Sequence, residues 1–227
     1  MNNQLTTLKL KDELDVVKTL ENIWKEYFAE NQNPVPPLFQ EELVKNAVTY
    51  LSLNPSFPSK RQNEPLKESY PLIDFRGKES YPFYKKFFDI GLEISEPWTV
   101  LDLFYIRESK QEELDKKFNT KSISDQDKQF LLNQMQLTFK IIMELNPKVV
   151  VISNVLSGKL IHKFHKELNL TMELPNNENG WIYRINGIPY ITKESSYLGS
   201  RFLINNIDRR KILVAEIKRV LAFTQKH

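Results

Sequence analysis

The first quarter of the chain passes from helical to strand-like spacing of its apolar side chains. Helical spacing predicts a helix from about residue 12 to residue 30, and the prolines that follow predict a linker to residue 37. A second, short helix is expected over residues 40–46. The run AVTYLSL at residues 47–53 then predicts a strand, because β-branched and aromatic residues favour strands and the next Asn-Pro pair ends it.

The middle of the chain is less regular. Four prolines between residues 55 and 79 predict a long irregular segment rather than a helix or strand. After it, a short helix is expected over residues 81–90 and a second strand over residues 98–105. The highly charged stretch from residue 108 to residue 122 is expected to form an excursion on the surface.

The second half of the chain carries the clearest patterns. Ser124 and Asp127 have the spacing of a capping box, which predicts the start of a long helix with an apolar stripe that reaches Leu145. The run VVVI at residues 149–152 is apolar on both sides, as in a central parallel strand covered on both faces. Further elements are predicted as a helix over 157–168, strands over 181–185 and 190–192, and a closing helix over 201–223.

This order of elements predicts the fold class. Alternation of strands and helices favours an α/β fold, a three-layer sandwich with a central, mainly parallel sheet of about four strands. The length of 227 residues and the hydrophobic fraction of 41% fit one compact domain with a sizeable core. We expect a helical extension over residues 1–43, packed on the same domain, and the α/β domain over residues 44–227.

Composition excludes several classes of function. The chain has no cysteine, which excludes a disulfide framework, a thiolate nucleophile and cysteine-ligated zinc or iron–sulfur sites. Its six glycines form neither a P-loop nor a dinucleotide-binding fingerprint, so no nucleotide cofactor is expected. His162 and His165 lack a third ligand at useful spacing, and no metal or other cofactor is expected. No run of about 20 apolar residues occurs, so we expect a soluble, cytoplasmic protein without membrane contact.

The charge is concentrated at the carboxyl end. The net charge is only +3, yet residues 201–227 carry seven basic and two acidic side chains. Such a segment either forms a stripe that faces nucleic-acid phosphates or is the solvated face of a helix.

Segments rich in polar residues follow three of the predicted strands, at the position where an open α/β sheet binds its ligands. The three segments are LSLNPSFPSKR at residues 51–61, NPKVVVISNVLSGKL at 146–160 and ITKESSYLGSR at 191–201. Together they resemble the uracil-DNA glycosylase superfamily. The turn Leu53-Asn54-Pro55-Ser56 is similar to the family's first motif, and Ser196-Tyr197-Leu198 with Arg201 is similar to its second. The resemblance covers residues 44 to 223.

The resemblance implies a base-excision enzyme that acts on DNA without a cofactor. Asn54 would orient the attacking water through its carbonyl oxygen, and Phe57 would stack on the extruded base. Asp102 would accept a hydrogen bond from an exocyclic amine. Ser153 and Asn154 either contact the substrate or cap the next helix. The side chains expected to hold the nucleic-acid backbone are Lys60, Arg61, Ser196, Tyr197 and Arg201.

One departure from the family pattern leaves a second function open. Glu194 falls where the family has a histidine that stabilises the departing base. An ionised Glu194 would instead repel the negative charge of the departing base. Two like charges about 4 Å apart repel by about 4 kcal/mol at an effective dielectric near 20, which would slow excision about a thousandfold. The alternative is therefore a catalytically inactive nucleic-acid- or nucleoside-binding module on the same fold. Independently of that choice, the other interpretation of Asn54 is a turn residue that ends the strand, and that of Phe57 is a core aromatic.

Overall fold

A computed structural model describes residues 5–13, 15–28, 35–55, 69–70, 82–108, 110–118, 122–178, 182–192 and 207–225. Its strands are β1 (Thr7–Lys9), β2 (Phe39–Gln40), β3 (Glu42–Val44), β4 (Val48–Ser52), β5 (Ser69–Tyr70), β6 (Trp98–Asp102), β7 (Val149–Ile152), β8 (Met172–Glu173), β9 (Tyr183–Ile185) and β10 (Ile188–Ile191). Its helices are α1 (Leu10–Glu13), α2 (Val16–Tyr27), α3 (Pro82–Ile94), α4 (Gln111–Phe118), α5 (Asp125–Leu145), α6 (Val155–Phe164) and α7 (Ile207–Thr224).

A six-stranded sheet in the order β6-β4-β7-β10-β9-β8 forms the centre of the fold. Strands β6, β4, β7 and β10 are parallel, whereas β9 and β8 are antiparallel to their neighbours. The mainly parallel α/β sheet is confirmed, but it has six strands and not about four. The additional strands are β9 and β8, which extend the sheet beyond β10. Asn186 and Gly187, both with positive φ, form the hairpin turn that connects β9 directly to β10.

Helices cover both faces of this sheet. Leu51, Leu101 and Ile152 point into one core, which is packed by α2, α5 and α6. The alternate strand positions, among them Tyr50 and Val151, point into a second core packed by α3 and α7. Because side chains alternate along a strand, β7 must be apolar at every position to fill both cores. The prediction of a central strand at residues 149–152 is therefore confirmed.

The long helix α5 begins and ends where the sequence predicts. The Ser124 hydroxyl accepts a hydrogen bond from the Asp127 backbone N–H at 3.1 Å and so caps the amino end. At the carboxyl end Asn146 adopts the left-handed conformation, with φ of 46°, which asparagine tolerates better than most residues.

The strand predicted over residues 98–105 ends earlier, at Asp102. Two further predicted segments differ from the structure in kind. Residues 40–46 were expected to be helical, but β3 lies there and pairs antiparallel with β1, which buries Leu43 and Val44 completely. The expected surface excursion contains α4, which buries Leu114 and Phe118 in the α5 core. In both cases a distant partner supplies the burial that fixes the element. The expected domain boundary between residues 43 and 44 falls inside β3.

No helix in the described ranges combines the length and the apolarity that a membrane crossing requires.

Candidate functional site

The predicted site lies at a topological switch point of the sheet. The four parallel strands β4, β6, β7 and β10 all end at the same edge. Among the described residues, the next helix after β4 is α3, on one face, and the next helix after β7 is α6, on the other face. Because β4 and β7 are neighbours and their connections diverge, the carboxyl ends of these two strands form the switch point. Open α/β sheets bind ligands at such a switch point.

Asn54 lies two residues beyond β4 at this switch point and is half-buried. Its Nδ2 donates to the carbonyl oxygens of Glu108 at 2.8 Å, Ile106 at 2.9 Å and Pro55 at 3.1 Å. Three carbonyl acceptors fix which arm of the amide carries the hydrogens. Within the described part of the chain, Oδ1 accepts no hydrogen bond. The amino side of Asn54 is therefore structural, and its carbonyl oxygen retains its accepting capacity.

A buried carboxylate ends the neighbouring strand. Asp102 is the last residue of β6 and lies opposite Ser52, the last residue of β4. The Ser52 hydroxyl donates to the Asp102 carboxylate, and the two residues are only 6% and 8% exposed. A carboxylate only accepts hydrogen bonds when it is ionised. An ionised Asp102 would therefore favour a ligand group that donates hydrogen bonds.

The end of β7 is tied to its surroundings by its polar residues. The Ser153 hydroxyl donates to the Leu51 carbonyl oxygen at 3.1 Å, which joins β7 to β4. Asn154 caps α6, because its Oδ1 accepts from the Leu156 backbone N–H at 2.8 Å. Its Nδ2 donates to Gln111 Oε1 at 2.9 Å and so links α6 to α4. Asn154 thus has the capping role that the sequence analysis held open.

Buried polar residues of α5 hold the segment that follows β6. Gln134 Oε1 accepts from the Tyr105 backbone N–H at 3.0 Å, and the Thr138 hydroxyl lies 3.1 Å from the Tyr105 hydroxyl. Burial raises the pKa of Tyr105 strongly, the Thr138 hydrogen bond opposes this, and the negative charge of Asp102 adds to it. The Tyr105 hydroxyl therefore stays protonated, and it serves as a neutral packing group beneath the site.

The structure brings four of the predicted residues to one edge: Asn54, Asp102, Ser153 and Asn154. Seven others lie outside the described residues: Phe57, Lys60, Arg61, Glu194, Ser196, Tyr197 and Arg201. Sequence reasoning missed Ser52, Gln134 and Thr138. For the last two a signal existed, since a glutamine and a threonine four positions apart interrupt the apolar face of a long helix.

Two arginines of α7 pair with acidic groups of the protein itself. Arg210 lies 2.7 Å from Glu93 of α3, and Arg219 lies 2.6 Å from Glu216 of its own helix. These two residues therefore contribute less net positive charge to a phosphate-facing stripe than the composition suggests.

The described residues contain no group of three or more histidine and acidic side chains that would hold a metal ion. His162 lies in the last turn of α6 and His165 is the residue that caps its carboxyl end, and their ring centroids are 5.7 Å apart. The Nδ1 atom of His165 contacts the His162 carbonyl oxygen at 2.7 Å, so one ring nitrogen is already engaged.

Comparison of this chain with protein-family models and with curated proteins finds no match.

Proposed function

We propose that the chain is a DNA glycosylase-like hydrolase on a uracil-DNA glycosylase-like fold. It would hydrolyse the N-glycosidic bond of an altered or deaminated base that is flipped into a pocket at the carboxyl ends of β4 and β7. The supporting features are the helix-covered parallel sheet and the convergence of Asn54, Asp102 and Ser153 at one edge. Base excision of this kind needs a flipped base, a positioned water and stabilisation of the leaving base.

The fixed amide of Asn54 is the observation that carries this proposal. Hydrolysis needs a water molecule held beside the anomeric carbon of the sugar. An asparagine carbonyl oxygen can accept a hydrogen bond from that water and so orient it, although an amide is too weak a base to remove its proton. Because three backbone carbonyls hold the amino side, the orientation of Oδ1 is set before substrate arrives.

Asp102 and Ser52 bear on which base would be accepted. The Ser52 hydroxyl donates to the Asp102 carboxylate and holds its orientation. A carboxylate at the end of β6 would accept a hydrogen bond from an exocyclic amine, whereas the carbonyl oxygens of uracil would be repelled by it. A base with an exocyclic amine is therefore the favoured substrate.

The test is a single-turnover excision assay on single- and double-stranded oligonucleotides. The substrates contain uracil, hypoxanthine, xanthine, a mismatched thymine or an altered base that retains an exocyclic amine. We expect the wild type to excise at least one of them and Asn54→Ala to be slower by about a hundredfold or more, because the water is no longer held.

Asn146→Gly is the matched control for this assay. It also removes an asparagine side chain, but at the opposite edge of the sheet, and glycine keeps the left-handed backbone of that position. Circular dichroism establishes that both variants fold. Excision that survives Asn54→Ala at the wild-type rate would remove Asn54 from the mechanism, and excision of none of the bases would remove the glycosylase proposal itself.

The hydrogen bonds of Asn54 also favour a second candidate function. Three bonds to backbone carbonyls give the residue a sufficient structural role without any chemistry. On this account the chain is an inactive nucleic-acid- or nucleoside-binding module. Oligonucleotide binding with a steep salt dependence and without excision would support the module, and absence of oligonucleotide binding would contradict both the glycosylase and the nucleic-acid-binding form of the module.

A further inference from the structure

The carbonyl groups that fix Asn54 belong to a segment without regular secondary structure. Residues 103–108 follow β6 and run beside the end of β4, where Leu103 and Phe104 donate backbone hydrogen bonds to Ser52 and Leu53 at 3.0 and 2.9 Å. The carbonyl oxygens of Ile106 and Glu108 then accept from Asn54. The orientation of Asn54 is therefore only as well defined as the path of this segment.

Gln134 holds the middle of the segment, at Tyr105. Its side chain is completely buried in α5, where a polar group is costly unless it is hydrogen-bonded. Its Oε1 accepts from the Tyr105 backbone N–H at 3.0 Å, and its Nε2 donates to the Phe130 carbonyl oxygen at 3.1 Å. Both arms of the amide are thus used, and the second bond fixes the position of the first.

Thr138, one helical turn further along α5, holds the same segment at a second point. It too is completely buried. Its hydroxyl lies 3.1 Å from the Leu103 carbonyl oxygen, 3.3 Å from the Asp102 carbonyl oxygen and 3.1 Å from the Tyr105 hydroxyl. Leu103, Asp102 and Tyr105 therefore surround one hydroxyl group supplied by the helix.

We infer that Gln134 and Thr138 are positioning residues for Asn54, which act through residues 103–108 on the orientation of its amide. The inference rests on the proposed function for its catalytic meaning, but the physical coupling it describes exists with or without excision. This role explains why α5, whose other buried side chains are apolar, also buries two polar ones. Through them α5 sets the geometry of the candidate site.

The test measures the exchange with water of the two Asn54 side-chain amide protons by NMR. Gln134→Met removes the acceptor for Tyr105 at similar volume, and Thr138→Val removes the hydroxyl at similar shape. In each variant we expect exchange of the Asn54 protons to be about tenfold faster, since a buried partner is left unpaired and the segment loosens. Thr138→Ser, which keeps the hydroxyl, should restore the wild-type rate.

Thr49→Val is the matched control. Thr49 is also completely buried, and Thr49→Val makes the same replacement of a hydroxyl by a methyl group as Thr138→Val. The Thr49 hydroxyl, however, has no hydrogen-bond partner in the described part of the chain. We expect Asn54 exchange to be unchanged in this variant. Backbone signals of the hairpin at Asn186 and Gly187 report whether each variant is folded, and if Gln134→Met does not fold, the Thr138 pair decides alone.

The outcomes separate this inference from the proposed function. If the wild type excises a base, Thr138→Val should lower the single-turnover rate and leave substrate affinity unchanged. If no base is excised, the proposed function fails while the exchange rates still decide the positioning role. Unchanged Asn54 exchange in folded Thr138→Val would overturn the inference, whatever the excision assay shows.

Discussion

At the scale of single residues, several buried hydroxyl groups have no hydrogen-bond partner. In the described part of the chain these are the hydroxyls of Thr49, Tyr50, Thr99 and Tyr190. A buried hydroxyl without a partner costs about 1–3 kcal/mol relative to one that is hydrogen-bonded. Burial raises the pKa of Tyr50 far above its ordinary value, so the group stays neutral at all ordinary pH values.

Removal of the Tyr50 hydroxyl should therefore stabilise the protein. We expect Tyr50→Phe to raise the free energy of unfolding by about 1 kcal/mol, because the ring packing against Phe87 is kept while an unpaired polar group is removed. Denaturant unfolding monitored by circular dichroism measures the change.

The matched control is Tyr105→Phe, which should change the free energy of unfolding in the opposite direction. The Tyr105 hydroxyl is equally buried but hydrogen-bonded to Thr138 at 3.1 Å, so Tyr105→Phe should destabilise by about 1 kcal/mol. Equal effects of the two substitutions would contradict the assignment of Tyr50 as unpaired.

At the scale of elements, the contact between α3 and β6 leaves no room for a side chain at Gly91. A Cβ atom built there would overlap the Trp98 indole, 2.5 Å from Nε1 and closer still to Cδ1. Trp98 is only 3% exposed and is wedged against Tyr50 and Phe87, so it has little freedom to move away. The helix therefore requires glycine for close approach, although glycine weakens a helix interior.

We expect Gly91→Ala to lower the free energy of unfolding by about 1–3 kcal/mol through overpacking. Thermal unfolding of this variant is compared with that of Gly158→Ala in α6. At Gly158 the nearest atom to a built Cβ is 3.9 Å away, so alanine should stabilise by up to about 1 kcal/mol through helix propensity alone. Stabilisation by both substitutions would show that α3 does not depend on this close approach.

At the scale of the whole molecule, an ionised cluster joins α2 and α4 to the start of α5. The Tyr27 hydroxyl donates to the Asp127 carboxylate, and Lys117 donates to the Tyr27 hydroxyl at 2.6 Å. Lys117 also lies 3.3 Å from Asp127. Burial alone would raise the pKa of Asp127, but the hydrogen bonds from Tyr27 and Ser124 and the charge of Lys117 outweigh it and lower that pKa.

This cluster should make stability depend on acid pH. An aspartate whose pKa is lowered in the folded state stabilises the fold above the unfolded pKa of about 3.9, and this contribution is lost as the pH falls through the lower, folded value. We expect Asp127→Asn to lower the melting temperature at pH 7. The difference in melting temperature between this variant and the wild type should shrink as the pH falls from about 5 towards 2. A constant difference over that range would contradict the role given to Asp127.

Local patterns in the sequence were enough to predict the elements that later define the candidate site. Ser124 and the apolar stripe that reaches Leu145 predicted both ends of α5, and the run at residues 149–152 predicted the central strand. Parallel strands end at one edge, so the convergence of Asn54, Asp102 and Asn154 also followed from the predicted fold class. These features depend on neighbours within a few positions, which a single sequence displays directly.

Other features depend on partners that are distant in the chain, and only the tertiary structure decided them. Residues 42–44 form a strand because β1, some 35 positions earlier, offers it an edge. The amide of Asn54 is fixed by carbonyl groups more than 50 positions away, and these depend in turn on Gln134 and Thr138. A hydrogen bond between such distant groups is selected by the packing of the whole domain, and the sequence around either group does not identify its partner.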